Sequence, residues 1–389
     1  MKPLASLFPF NGEIFFFILN WQSDHNALTG DSLVATFAPT LEAWYDQHRR
    51  DLPWRNTTDP YQIWLSEVIL QQTRVAQGLP YYLRFTETYP TLSDLANANE
   101  RELLRLWQGL GYYSRARNLH QTAKFIASTL GGQFPATYRD LLALKGIGTY
   151  TAAAIASFAF GERVPVVDGN VYRVLARVFG IEEDITTTPA KKTFASLAIR
   201  LIAHALDPAT YNQSIMEFGA IQCTPVAPNC LFCPLQQQCR AYQTGRQQLL
   251  PVKKKKAPVR DRFLTYYVLR KGEGPSLKLA MRERTGRDIW QNLYEFYGFE
   301  TDEPALIWRA IDVPDEVNEL VVQGVLVGPA GMEQQLLSHQ RIRAVFHEIV
   351  VPETIDIPLP DRVDWYSMEQ VRQLPKPVLI AAYIDKQFA

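Results

Sequence analysis

Four cysteines, Cys223, Cys230, Cys233 and Cys239, stand within seventeen residues in the spacing C-x6-C-x2-C-x5-C, and the chain has no others. Nothing marks the chain as secreted, so four thiolates around one centre are favoured over two disulfides or unrelated buried thiols. Zinc and a [4Fe–4S] cluster both accept four thiolates, and spacing alone does not choose between them. Upstream, Leu144-Lys145-Gly146-Ile147-Gly148-Thr149-Tyr150-Thr151 places two glycines between helical segments. Such a turn can aim the backbone N–H groups of the second helix at a phosphate, though many glycine hairpins only turn. Val166-Val167-Asp168-Gly169-Asn170 follows, where Asp168 is an N-cap or a working carboxylate. Glu67 lies among Ile63, Trp64, Val68 and Leu70. Apolar surroundings raise a carboxyl pKa and keep a proton available near neutral pH, as a general acid requires. A carboxylate tied to a helix end or an arginine is the plainer alternative.

These groups need elements to carry them. From residue 33 to about residue 242 the apolar spacing is helical, with caps and breakers between segments. Asp59-Pro60 predicts an N-cap followed by a helix through about Gln77, with Glu67 on it. Gly109 and Gly111 punctuate the next helices, and Asp168 caps one reaching about Phe179. Beyond the cysteines the texture changes. Residues 253–256, all lysine and followed by Pro258, read as a solvated linker. Residues 263–270 and 277–284, joined through Gly272 and Gly274, predict a β-hairpin; 341–350 predict a strand and 369–374 a short helix. The expected fold class is multidomain. An irregular extension (1–32) precedes an all-α domain (33–250) with the cysteine segment 223–239, then a basic linker (251–262) and an α+β domain (263–389).

Composition narrows the class. The 389 residues carry 40 Lys+Arg, 40 Asp+Glu and 47% hydrophobic residues, a globular composition rather than a disordered or disulfide-rich one. The apolar run at 14–19 is far too short for a bilayer span and lacks a cleavage site, so neither a membrane segment nor a signal peptide is expected. The zero net charge hides an asymmetry: residues 31–260 hold 25 Lys/Arg against 18 Asp/Glu, and residues 261–389 hold 14 against 20. The basic half suits a polyanion, weakly by itself.

Taken together, the hairpin, the aspartate and the cysteine spacing resemble the endonuclease III superfamily of DNA glycosylases over about residues 40–242. That resemblance implies a helix-hairpin-helix glycosylase domain whose cysteines hold a mainly structural [4Fe–4S] cluster. It also implies DNA backbone contacts at Gly146 and Gly148. Asp51-Leu52-Pro53-Trp54-Arg55, the stretch from Trp64 to Thr73, and Gln108-Gly109-Leu110-Gly111-Tyr112-Tyr113 resemble the adenine DNA glycosylase (MutY) family within it. The likeness implies a hydrolase that removes adenine mispaired with 8-oxoguanine or guanine in duplex DNA. Glu67 would protonate a ring nitrogen of the flipped-out adenine, and an ionised Asp168 would stabilise positive charge on the sugar, with Tyr150 and Asn170 assisting.

Tyr150 stands where lyase-competent relatives carry a nucleophilic lysine, so base excision without efficient strand cleavage is expected. Lys145 replaces the usual hairpin proline and should face the phosphate backbone. Trp54, Arg55 and Gln213 match base-pocket positions, while Gln72 and Tyr112 match residues filling the stack and contacting the 8-oxoguanine side. Residues 263–389 resemble the family's Nudix-like domain through Trp290-Gln291-Asn292-Leu293-Tyr294-Glu295-Phe296 and Leu374-Pro375-Lys376-Pro377. The metal-binding REUxEExGU core is absent, so nucleotide hydrolysis is not expected. Leu337-Ser338-His339 matches the family's 8-oxoguanine loop, with Leu337 in place of phenylalanine. The resemblance further implies a monomer acting in the cytoplasm, on the nucleoid of a bacterial cell. Two other readings stay open: a bifunctional pyrimidine glycosylase and lyase, and a catalytically silent cluster-containing DNA-binding protein.

Overall fold

The computed structural model describes residues 31–254, 259–303, 325–354 and 359–388. The expected N-terminal extension up to residue 30, and residues 255–258 of the basic linker, lie outside these described residues. The chain divides into two compact units. One joins the described part of Met1–Ile63 to Pro135–Ala143 and Ile147–Lys254, and the other joins Trp64–Phe134 and Leu144–Gly146 to the described residues after the linker. Among the described residues no helix is long and apolar enough to cross a membrane.

The first unit is helical, built from Asp31–His48, Thr149–Phe160, Gly169–Phe179, Thr188–Ile202 and Pro208–Glu217, with one-turn helices at Tyr138–Leu141 and Arg240–Gln243. Its helix starts are written in the sequence. Asp168, Thr187 and Asp207 each accept a hydrogen bond from the N–H three residues on, and prolines open the last two helices. Phe37, Leu41, Val174, Leu175, Phe194, Leu201 and Phe218 share one buried core. After Glu217 the helix widens into a π-type turn, Phe218–Gln222, that ends at Cys223. Gly219 in that turn is a close-approach position, because a Cβ there would stand 2.6 Å from the Cβ of Asn170.

The second unit combines four helices, Val75–Thr88, Leu92–Asn97, Glu100–Trp107 and Ser114–Thr129, with a mixed sheet. The strands are β1 (Arg260–Lys271), β2 (Lys278–Glu283), β3 (Tyr294–Glu295), β4 (Tyr297–Thr301), β5 (Val325–Leu336), β6 (Gln340–Val350) and β7 (Val363–Ser367). Their order is β3-β2-β1-β6-β5, with β4 added to β1 and β7 to β2. The expected hairpin is present, with Arg270 opposite Leu279. β6 runs parallel to β1 from Arg260↔Gln340 to Arg270↔Val350. The expected short helix spans Met368–Gln373, and a further helix, Val378–Gln387, follows it.

One predicted element ends early. The helix expected to reach Gln77 is Pro60–Leu70, and a separate helix starts at Val75. Gln72 sits between them at φ 56°, a left-handed conformation that no α-helix continues through.

The grouping of residues 64–134 with the sheet has an explicit chemical basis. Arg105 Nε donates to the Arg372 carbonyl (2.9 Å) and Arg117 Nη1 to that of Gln291 (2.8 Å). Tyr113 Oη donates to the Lys376 carbonyl (3.2 Å), and the Lys376 N–H donates to Gln108 Oε1 (3.2 Å). Asn292 Nδ2 completes the set by donating to Glu100 Oε1 (2.6 Å). Lys376 is itself buried, its Nζ donating to the Val371 and Leu374 carbonyls, and burial brings its ammonium down to about 8.

Candidate active site

In the first unit Asp168 is an N-cap and more. Its Oδ1 accepts from the Val171 N–H and its Oδ2 from Asn170 Nδ2, both at 2.8 Å. Asn170 Oδ1 in turn accepts from Arg173 Nη2 (2.8 Å), whose guanidinium also donates to the carbonyls of Gly219 (2.6 Å) and Cys223 (2.8 Å). A hydrogen-bonded line therefore runs from the carboxyl to the first cysteine of the loop. Burial pushes the Asp168 carboxyl up, against the pull of the Val171 and Asn170 hydrogen bonds and of the Arg173 charge. Tyr150, half-buried, packs against Ala153, Ala154 and Val166. The helix carrying it starts at Thr149 after Gly148, which has no side chain to cap it. In the second unit, Gly146, at φ 76°, lies so close to Asn118 that a Cβ would meet that residue's Cβ at 2.7 Å. Lys145 donates to Gln121 Oε1.

The first unit also contains a charged cluster that sequence reading did not anticipate. Glu217, almost wholly buried, receives Arg50 Nη2 (2.6 Å) and Arg55 Nη2 (2.6 Å) on one oxygen, and Arg50 Nε (2.8 Å) and Arg55 Nη1 (3.0 Å) on the other. Trp54 is buried in the 3-10 turn Pro53–Arg55 beside it. The Arg55 guanidinium also stands 5.5 Å from the centre of the Tyr45 ring, and Tyr45 Oη donates to Gln213 Oε1 (2.7 Å). Arg55 and Gln213, predicted separately, are thus joined through Tyr45. Glu217 four residues after Gln213 was the only sequence trace of this arrangement.

Burial would push the Glu217 carboxyl up, but the hydrogen bonds from Arg50 and Arg55 override it and hold the group at about 2. A depressed carboxylate contributes stability above its unfolded value and loses it as the pH falls through the folded one. Glu217→Gln should cost about 3 kcal/mol at neutral pH, by leaving two guanidinium groups short of their counter-charge. That cost, read from urea titrations, should shrink as the pH is lowered from about 4.5 towards about 2; a constant difference across that range would contradict the assignment.

All four cysteines are free thiols lining one small cavity with Arg177, Val178 and Phe218. Among the described residues no three His, Cys, Asp or Glu side chains are disposed to hold a single metal ion. Arg177 secures the loop by donating to the Thr224 (2.7 Å) and Pro225 (3.1 Å) carbonyls and to Cys223 Sγ (3.4 Å). Burial pushes the Cys233 thiol up to about 12.

In the second unit Glu67 is buried, on a helix whose Trp64, Leu65, Val68 and Ile69 are buried as well. Gln72 follows in its left-handed turn. Tyr112 is the other aromatic or amide site residue with positive φ, 48°, and it is exposed, which settles against a core role. Non-glycine residues held in this region store strain and often mark functional positions. Tyr112 Oη donates to Ser338 Oγ at 2.6 Å, and Ser338 Oγ lies 3.0 Å from His339 Nδ1. Ser338 and His339 form the tip between β5 and β6, closed by the Leu337 N–H on the Gln340 carbonyl (2.7 Å). The structure thereby brings together three residues chosen from stretches more than two hundred positions apart.

Comparison with known proteins places these features in context. Residues 65–198 match the model of the HhH-GPD superfamily base excision DNA repair protein. An adenine DNA glycosylase of Mus musculus is 48% identical over 230 residues, covering 56% of this chain and 44% of that protein. Its counterpart in Buchnera aphidicola subsp. Schizaphis graminum is 35% identical over 276 residues, covering 71% of this chain and 78% of the relative. The match thus spans less than half the length of the mammalian relatives. Among solved structures, a thermostable thymine-DNA glycosylase aligns with 55% of this chain and 98% of its own, at 29% identity and a TM-score of 0.51.

Proposed function

The chain belongs to the adenine DNA glycosylase family, and on that premise we propose that it excises adenine mispaired with 8-oxoguanine or guanine from duplex DNA. Two carboxyls support the reading, Glu67 buried in one unit and Asp168 half-buried in the other. Glu67 sits among buried apolar residues of its helix, and Asp168 is gripped by donors that favour its charged form. A glycosidic bond is cleaved by such a division of labour: one carboxyl supplies a proton while another meets the positive charge.

In the reaction Glu67 passes its proton to a ring nitrogen of the extruded base. The bond between that base and C1′ breaks, and its electron pair leaves with adenine. The Asp168 carboxylate, aimed by Asn170 and the Val171 N–H, faces the charge that develops on the sugar. Water adds at C1′ and gives up a proton, which completes the hydrolysis. Tyr150 shapes the sugar side and offers no amine to form a Schiff base. Trp54, Arg55 and Gln213 supply the base pocket, where the Gln213 amide, its oxygen held by Tyr45, presents its NH2 to an acceptor on the purine edge. Gly146 and Gly148 offer backbone N–H groups to a DNA phosphate. Gln72 and Tyr112 fill the vacated stack, since extrusion is cheapest at a mispair and favours a wedge. Ser338 and His339 read the 8-oxoguanine side. The protein works as a monomer on chromosomal DNA in the cytoplasm.

Cys223, Cys230, Cys233 and Cys239, which line one cavity, would hold the [4Fe–4S] cluster that the family resemblance implies. When bound, the cluster supplies structure, because ligand bonds that exist only in the folded loop add to folding stability. Cys230→Ser should lower Tm and leave the loop after Glu217 open to protease while iron and sulfide fall below stoichiometry. Normal melting together with full metal content would contradict this.

The reading is tested against its lyase alternative on duplex carrying adenine opposite 8-oxoguanine. The adenine strand should break only after hot alkali, with little protein–DNA adduct trapped by borohydride. A trapped adduct in high yield would favour the bifunctional pyrimidine glycosylase and lyase. Specific binding with no alkali-labile site would favour the silent DNA-binding protein.

A further inference from the structure

Arg115 is absorbed by none of the roles above, yet its guanidinium donates to five carbonyls at the end of the Glu67 helix and in the turn before Tyr112. Its Nη1 donates to the carbonyls of Val68 (2.7 Å), Ile69 (3.0 Å) and Gln71 (2.8 Å). Its Nη2 donates to those of Leu110 (3.2 Å) and Gly111 (3.3 Å). The first three carbonyls close the helix that carries Glu67 and lead into the left-handed Gln72; the last two immediately precede the left-handed Tyr112. The guanidinium is also held between rings, 5.1 Å from the centre of Trp107 and 5.7 Å from that of Tyr112. Trp107 Nε1 reaches the same turn by donating to the Gly111 carbonyl (3.0 Å). A planar fork can serve two sets of carbonyls at once, which a single ammonium on a flexible stem does not reproduce. A cation at a helix C-terminus also meets the negative end of the helix dipole.

We propose that Arg115 is a positioning residue that locks the general-acid helix and the Tyr112 wedge turn into one register, so that the geometry of Glu67 is set together with that of the residue entering the stack. The inference rests on the glycosylase reading above and adds to it. Gln72 and Tyr112 are non-glycine residues held in the left-handed region, a conformation that surrounding contacts must support, and Arg115 donates to carbonyls of both turns.

The test uses the full chain, with Arg115→Lys and Arg115→Gln compared with the wild type on duplex containing adenine opposite 8-oxoguanine. Single-turnover release is measured below the melting temperature of every protein. Arg115→Lys should slow release about 100-fold, the scale of a small misplacement at a reacting centre. It should also shift the pH–rate profile and change affinity much less for a duplex whose adenine nucleotide is fluorinated to resist cleavage. A merely structural arginine would lower Tm while leaving the rate and the pH profile of the folded variant unchanged, and that result would overturn the inference. Should both variants fail to fold, Gly111→Ala takes their place. Its added methyl meets no atom within 4 Å, but it disfavours the left-handed carbonyl that Arg115 holds. A reduced rate there supports the inference and an unchanged rate overturns it. Inactive wild-type protein would instead remove the glycosylase reading itself, so the two failures are distinct.

Discussion

Glu67→Gln is expected to lower the single-turnover rate of adenine release by about 10²- to 10⁴-fold, the contribution of a positioned general acid. Glutamine keeps the shape of the side chain and removes the proton that makes adenine a competent leaving group. Because Glu67 is buried on its helix, the substitution replaces a group with a desolvation cost by a neutral one of similar volume, so folding should survive. Affinity for an uncleavable mispair duplex should stay close to the wild type. Parallel loss of affinity and excision would assign Glu67 a structural role instead.

Asp168→Asn should be nearly as damaging to excision, about 10²- to 10³-fold, as expected for removing a preorganised charge from a developing cation. Its effect on stability has the opposite sign. Burial raises the folded carboxyl above its ordinary value. A raised carboxyl contributes stability below its unfolded value and loses it as the pH climbs through the folded one. At neutral pH the charged aspartate is therefore a net cost to folding. Asparagine still caps the helix by accepting from the Val171 N–H, but its NH2 replaces the oxygen that accepts from Asn170 Nδ2 and offsets part of that gain, so the variant should melt close to the wild type at pH 7 while failing to excise. The same direction of shift places the acidic limb of the wild-type rate profile above the ordinary aspartate range, since activity needs the ionised form. A melting temperature well below the wild type, or an acidic limb in the ordinary range, would contradict this assignment.

The parts of the site that were legible in the sequence are those with local signatures. The cysteine spacing, the glycine hairpin and the cap at Asp168 each follow from residues a few positions apart; the four cysteines line one cavity, the hairpin precedes a helix at Thr149, and Asp168 caps its helix. The β1–β2 hairpin was marked by its glycines in the same way. What escaped was long-range or backbone-directed. Arg50 and Glu217 are 167 positions apart, and no periodicity links an arginine in a loop to an acid in a distant helix. Arg115 works through five carbonyls, which any sequence supplies, so its role left no trace in residue types. The break after Leu70 was hidden because Gln72 is an unremarkable helix former, while the bonds at this turn, from Arg115 and from the Thr73 N–H to the Leu70 carbonyl, go to backbone carbonyls that leave no mark in residue types. The association of residues 64–134 with the sheet rests on bonds such as Tyr113 to Lys376 and Arg117 to Gln291, equally silent in composition.

The central claim is tested most directly by measuring free adenine after one turnover on a duplex with a single adenine opposite 8-oxoguanine, beside the same duplex with that adenine opposite thymine. The account predicts adenine release approaching one per duplex from the mispair, and little from the normal pair. No free adenine from the mispair at any pH between 5 and 9, with the protein folded and bound to it, would contradict the account.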